Sequence, residues 1–158
     1  MRTRALPPSD YEKLRRELPQ RSRLALDIMA DTGLRISDVL NIKIRQLSTN
    51  IKVKDIKTGF EHTVKLSPRT LAIARRYAAG RSGVESLIPF HRKTIWKDIA
   101  KGCDKLQIDH FSPHSVRKLY ARKLYKEHGD INVVRDKMGH KSITATMFYL
   151  FDVKSEGN

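Results

Sequence analysis

The sequence predicts an α+β chain that is mainly α, and three observations carry that prediction. Most segments repeat apolar residues at helical spacing between start and stop signals, as in the run from Ser112-Pro113 to Gly129. A single stretch, Ile51 to Leu66, alternates apolar and polar residues around a glycine turn, as a half-buried antiparallel hairpin does. One hairpin supplies too few strands for a parallel α/β sheet. The 158 residues amount to one domain, long enough to bury a core.

Residues Met1 to Pro8, basic at Arg2 and Arg4 and ending in proline, read as an extended arm or linker stub, which leaves 9–158 as the folded domain. Ser9-Asp-Tyr-Glu12 has capping-box spacing and predicts a helix through Leu14 and Leu18, ending near Pro19. Leu24, Ala25, Ile28 and Met29 give a buried face to a helix over Arg21 to Thr32, which Gly33 punctuates. Ile36, Val39 and Leu40 form the apolar side of the next helix, which Arg35 precedes or opens. Asp38, one turn on, either orients neighbouring cations or is an ordinary helix-start acid.

The hairpin IKVKDIKTGFEHTVKL turns near Gly59, with Lys57 beside the turn. Ser67-Pro-Arg-Thr-Leu then starts a helix whose core stripe is Leu71, Ile73, Ala74 and Tyr77, and Ala79 to Gly83 is a loop. After the short apolar connection Leu87-Ile-Pro-Phe, the spacing predicts a helix over Lys93 to Leu106 with Ile95, Ile99 and Leu106 inward and Trp96 as packing.

The stretch from Phe111 to Phe151 carries the densest chemistry. Ser112 is a good N-cap and Pro113 suits the first helical position. His114 and Arg117, three apart, point the same way from the first turn, where unpaired backbone N–H groups can seat a phosphate. Gly129 stops this helix, Asp130 caps a second through Val133 and Met138, and Gly139 ends that one with His140 at the break. Ser142 caps a third helix bearing Tyr149, so His140 and Tyr149 come from adjacent elements.

The charge balance points to a polyanionic partner: 32 Lys and Arg stand against 17 Asp and Glu, a formal net charge of +15. A membrane surface is the other polyanion, but no apolar run approaches the ~18 residues of a spanning helix and no signal peptide is visible, so nucleic acid is the better match. The lone cysteine, Cys103, excludes an internal disulfide and fits a reducing cytoplasm. Cys103, His110 and His114 lack a fourth ligand and regular spacing, so no metal site is predicted.

Three boxes in this chain resemble those of the tyrosine recombinases, the phage integrase family. His114-Ser-Val-Arg117 is similar to that family's His-x-x-Arg box, and Gly139-His140 followed nine positions later by Tyr149 is similar to its Gly-His and nucleophilic tyrosine. Thr32-Gly-Leu-Arg35-Ile-Ser-Asp38 resembles the box with its first arginine, and Lys57 on the hairpin looks like its catalytic lysine. The likeness runs from about Pro8 to Phe151; Lys118, Met138 and Val116 depart from the residues more usual in these boxes. It implies the family's mainly α catalytic fold, with the separate N-terminal DNA-clasping domain absent, as in a truncated or a naturally minimal protein.

The resemblance implies six catalytic residues: Arg35, Lys57, His114, Arg117, His140 and Tyr149. Tyr149 would attack a phosphodiester to give a 3'-phosphotyrosine and a free 5'-hydroxyl, and a hydroxyl from another duplex would complete strand exchange. The arginines would hold the phosphate, His114 take the phenol proton, His140 donate to the phosphate and Lys57 protonate the leaving oxygen. A phenol with a pKa of about 10 needs such activation. No ATP, metal or other cofactor is expected. The implied partner is double-stranded DNA, bound by a chain that is monomeric when free and homotetrameric on paired sites, in the cytoplasm of a bacterial or phage-infected cell.

Two other readings stay open on the residues themselves. Asp55-Ile-Lys57 matches the Asp-x-Lys of metal-dependent nucleases, where a carboxylate holds a metal and a lysine assists water. A non-catalytic DNA-binding module would use the helix-rich C-terminus without cleavage.

Overall fold

The apolar stripes converge on two clusters, bridged by a single helix. The computed structural model describes residues 6–151, the Tyr149 side chain excepted. The elements are α1 (Pro8–Glu17), α2 (Gln20–Thr32), α3 (Ile36–Leu40), β1 (Asn50–Lys54), β2 (Glu61–Lys65), α4 (Pro68–Tyr77), α5 (Arg92–Leu106), α6 (Pro113–His128), α7 (Ile131–Met138) and α8 (Ile143–Phe151). This is the predicted mainly α architecture with one antiparallel hairpin.

The larger cluster joins Leu14 and Leu18 of α1, Leu24 and Ile28 of α2, Ile51 and Val64 of the hairpin, Leu71 and Ala74 of α4, and Ile95 and Ile99 of α5. Cys103 is buried in it. The smaller cluster consists of Ala121 and Leu124 of α6, Val134 and Met138 of α7, and Leu150 of α8. Helix α6 serves both, since Val116 near its start packs into the larger cluster. Its first turn therefore lies where the two meet.

The hairpin pairs Ile51 with Val64 and Val53 with His62, so these four share one face. Several caps form as the sequence implies. The Ser67 hydroxyl accepts from the Thr70 N–H, Asp130 accepts from the Asn132 N–H, and Ser142 accepts from the Ala145 N–H. Gly33, Gly129 and Gly139 close α2, α6 and α7 in the left-handed conformation.

Two start signals differ from expectation. Helix α1 begins at Pro8 with Pro7 as its N-cap, not at the Ser9 capping box, because proline supplies the helical φ without needing a donor. Leu6, just before it, is buried in the core. Ser112 occupies the N-cap position of α6, yet its hydroxyl makes no cap bond. No helix among the described residues is long and apolar enough to cross a membrane.

Candidate active site

Each predicted site residue is delivered by a helix end or a turn. Gly33, at φ 72°, reverses the chain after α2 and leaves Arg35 extended at the N-cap of α3. From there its guanidinium reaches the hairpin, where Nη1 donates to Asp55 Oδ2 at 2.9 Å. The hairpin end is closed by Asp55 N–H to the Phe60 carbonyl and Gly59 N–H to the Asp55 carbonyl, with Lys57 in the turn between.

Among the described residues Asp38 hydrogen-bonds to the hairpin backbone and to no cation, so it orients the hairpin where the sequence offered cation orientation or a plain helix-start acid. Its buried carboxylate accepts the Ile56 N–H at 2.9 Å and so ties α3 to the residue beside Lys57. Burial raises its pKa, against the pull of that N–H and of Arg35 and Arg117.

Arg117 is only 3% exposed. Its Nε donates to the Gly33 carbonyl at 2.7 Å and its Nη2 to the Met138 carbonyl at 3.1 Å. Helices end with carbonyls that lack intrahelical partners, and here the ends of α2 and α7 converge on one cation. The arginine thereby links two helix termini from distant parts of the chain.

The two histidines are electrically similar. Desolvation lowers the His114 pKa to about 4, helped by Arg117, Lys118, Arg35 and Lys57. The residue as a whole is nevertheless exposed to solvent, so water softens this shift while leaving its direction. His140 is also lowered to about 4, by burial and then by Arg117, Arg35 and His114. Its Nδ1 lies 2.8 Å from the Thr146 hydroxyl, one turn into α8.

A cavity of about 420 Å³ gathers four of the predicted residues, Arg35, Lys57, His114 and Arg117, with Asp38 in its wall. His140 adjoins the same charges. Tyr149 lies on α8, and its side chain is outside the described residues. The cavity is therefore a basic recess holding two rigid planar donors, an amine and neutral imidazole, a set suited to a phosphodiester.

The sequence reading missed two lining residues, Arg92 and Trp96. Trp96 was expected to be packing but is 52% exposed, because the inward stripe of α5 runs through Ile95 and Ile99. An aromatic outside that stripe was the available signal. Asp55 does not present an open carboxylate of the kind the nuclease reading needs. Its Oδ1 accepts from His62 Nε2 at 3.0 Å, and its Oδ2 from Arg35 and the Thr58 hydroxyl. His110 pairs with Asp104 on the surface, away from the core position of Cys103.

Residues 4–156 match the phage integrase family. The chain belongs to that family. Among relatives of this integrase-family chain, tyrosine recombinase XerA of Saccharolobus solfataricus is 25% identical over 143 residues, which is 86% of this chain and 49% of that protein. A tyrosine recombinase of Pseudothermotoga lettingae is 28% identical over 163 residues, 96% of this chain and 57% of that protein. The chain thus spans about half the length of the curated relatives it matches. The fold is shared with the crystal structure of XerA recombinase, at TM-score 0.76 and 21% identity over 92% of this chain and 57% of that one. It is also shared with a lambda integrase dimer bound to a COC' core site, at TM-score 0.78 and 22% identity over 100% of this chain and 51% of that one.

Proposed function

We propose that this chain is the catalytic domain of a site-specific DNA recombinase working through a covalent tyrosine intermediate. The observation that carries the reading is the single cavity holding Arg35, Lys57, His114 and Arg117, brought from α3, the hairpin and α6. Its support includes membership of the phage integrase family, relatives named tyrosine recombinase, and structural neighbours bound to DNA.

In this reading the Tyr149 phenol oxygen attacks phosphorus, and its proton passes to His114, which is neutral and able to accept it. Arg35 and Arg117 offset the charge that builds on the non-bridging oxygens, where loss of one donor costs about 2.7–4 kcal/mol of barrier. His140 donates to the same phosphate. The P–O5' bond breaks as Lys57 gives a proton to the departing oxygen, leaving a 3'-phosphotyrosine and a free 5'-hydroxyl. Attack by a 5'-hydroxyl from a second duplex reverses these steps and rejoins exchanged strands. Water, ATP and metal have no part in that sequence.

Double-stranded DNA is the partner, in keeping with the net charge of +15. Assembly as a homotetramer on paired sites follows the lambda integrase tetramer bound to a Holliday junction, with the free chain monomeric. The proposed location is the cytoplasm of a bacterial or phage-infected cell, where such relatives would meet DNA.

The test is a nicked duplex that loses a short fragment on cleavage, incubated in chelator and run on a denaturing gel. A DNA-shifted protein band that Tyr149→Phe abolishes, with binding retained, is the expected result. Free fragments appearing only with magnesium would overturn it in favour of hydrolysis at Asp55 and Lys57.

A further inference from the structure

The two arginines of the cavity are held by different means. Arg117 is fastened to main-chain carbonyls of Gly33 and Met138, which no side-chain substitution removes. Arg35 is fastened by a side chain, through Nη1 to Asp55 Oδ2. A planar guanidinium held at one nitrogen takes its orientation from that contact.

Asp55 is built for such a task. The hairpin's alternation puts Ile51, Val53 and Asp55 on the inward side, and the carboxylate is 3% exposed. A buried carboxylate must be matched by donors, and Arg35, His62 and the Thr58 hydroxyl supply them. The His62 ring in turn packs against Phe60 at a tilt of 34°, with centroids 4.6 Å apart. Phe60 packs on Gly139 closely enough that a Cβ there would come within 2.7 Å of its ring. Asp55 is two residues before Lys57 and one before Ile56, whose N–H is held by Asp38.

We propose that Asp55 is a positioning residue for the cleavage reaction: by fixing Arg35 on the hairpin that carries Lys57, it sets the first arginine and the lysine at one spacing. This rests on the recombinase reading above. The Asp-x-Lys pair is then a tether between two phosphate-directed cations. Arg35 reaches the cavity from the N-cap of α3, where the backbone alone would leave its long side chain many rotamers.

The test uses the full chain on a nicked trapping duplex that the wild type cleaves, with adduct formation followed at saturating DNA and binding measured separately. Asp55→Asn keeps the shape and loses the charge. It is expected to slow adduct formation by roughly tenfold to a hundredfold, as small misplacements of reacting groups do. DNA affinity should stay within about twofold, since the loss is in the rate and not in uniform binding. In an Arg35→Ala background the same substitution should cost nothing further, because it acts through Arg35.

Asp55→Glu keeps the buried charge and moves the oxygen by one methylene. It is the variant to use if Asp55→Asn does not fold, and its slowing should be masked by Arg35→Ala in the same way. An unchanged rate, or a loss that adds in full to that of Arg35→Ala, overturns the proposal and leaves Asp55 a structural residue. A wild type that forms no Tyr149-dependent adduct on any duplex or junction overturns the recombinase reading and this role with it.

Discussion

His114 and His140 are uncharged in the free protein near neutral pH, because burial and the surrounding cations oppose protonation. The folded pKa of each, about 4, is below the ordinary 6.5, so between these values the unfolded chain binds more protons than the folded one. The stability this contributes is complete above 6.5 and is lost as pH falls toward 4. The greater solvent exposure of His114 gives it the smaller share. Histidine ring NMR should place both midpoints below 6.5, and thermal midpoints should drop across that window less steeply in His140→Ala. Midpoints at or above 6.5 in the free protein would contradict the electrostatic account of the site. His140 depends further on Thr146, which is fully buried and 2.8 Å from Nδ1. The hydrogen bond at one ring nitrogen decides whether the other carries a proton. Thr146→Val keeps the shape and removes that partner. Adduct formation at saturating DNA should slow roughly fivefold, the worth of a hydrogen bond of about 1 kcal/mol.

At the scale of elements, the site is made from terminations. Helices α2 and α7 stop at Gly33 and Gly139, both at positive φ, and present carbonyls near those stops to Arg117. A side chain at either glycine costs about 1–2 kcal/mol from the left-handed backbone alone. At Gly139 the new Cβ also meets Phe60 of the hairpin turn, and at Gly33 it meets the Tyr120 ring of α6. Gly139→Ala should therefore lower the urea midpoint and slow adduct formation, since Phe60 must move and the Asp55 turn with it. Wild-type kinetics in this variant would uncouple the hairpin from α7. The sequence announced these stops through glycine and cap spacing, but the junction they share was not visible in it.

At the scale of the molecule, the smaller cluster gathers far fewer buried side chains than the larger one among the described residues. Helix α8 buries Leu150 and Thr146, while Ile143, Met147, Phe148 and Phe151 remain exposed. Low burial means low local stability. Amides of Ser142 to Phe151 should exchange faster than those of α2 in the free protein and gain protection on DNA. Strong protection before DNA is added would show that the tyrosine helix is already locked. The basic surface leads to a separate expectation. If binding neutralises six or more phosphates, affinity should fall by about 10³ or more between 50 and 200 mM salt. A flat salt response would remove the electrostatic basis for DNA as the partner.

Local chemistry was legible in the sequence because it is carried by short-range rules. Helix periodicity, cap residues, glycine stops and the alternation of the hairpin each depend on neighbours along the chain, and the motif boxes preserve the spacing of Arg35, His114, Arg117 and His140. By itself the sequence determined the mainly α class, the hairpin and the family likeness, and its charge pointed toward a polyanion. Tertiary structure decided what lies across gaps in the chain. It placed Asp55 under Arg35, set Asp38 against Ile56, fastened Arg117 to two helix ends and turned Trp96 outward beside Arg92. Such contacts depend on how elements pack, and burial determines the environment of a charge in ways that residue type and spacing do not encode.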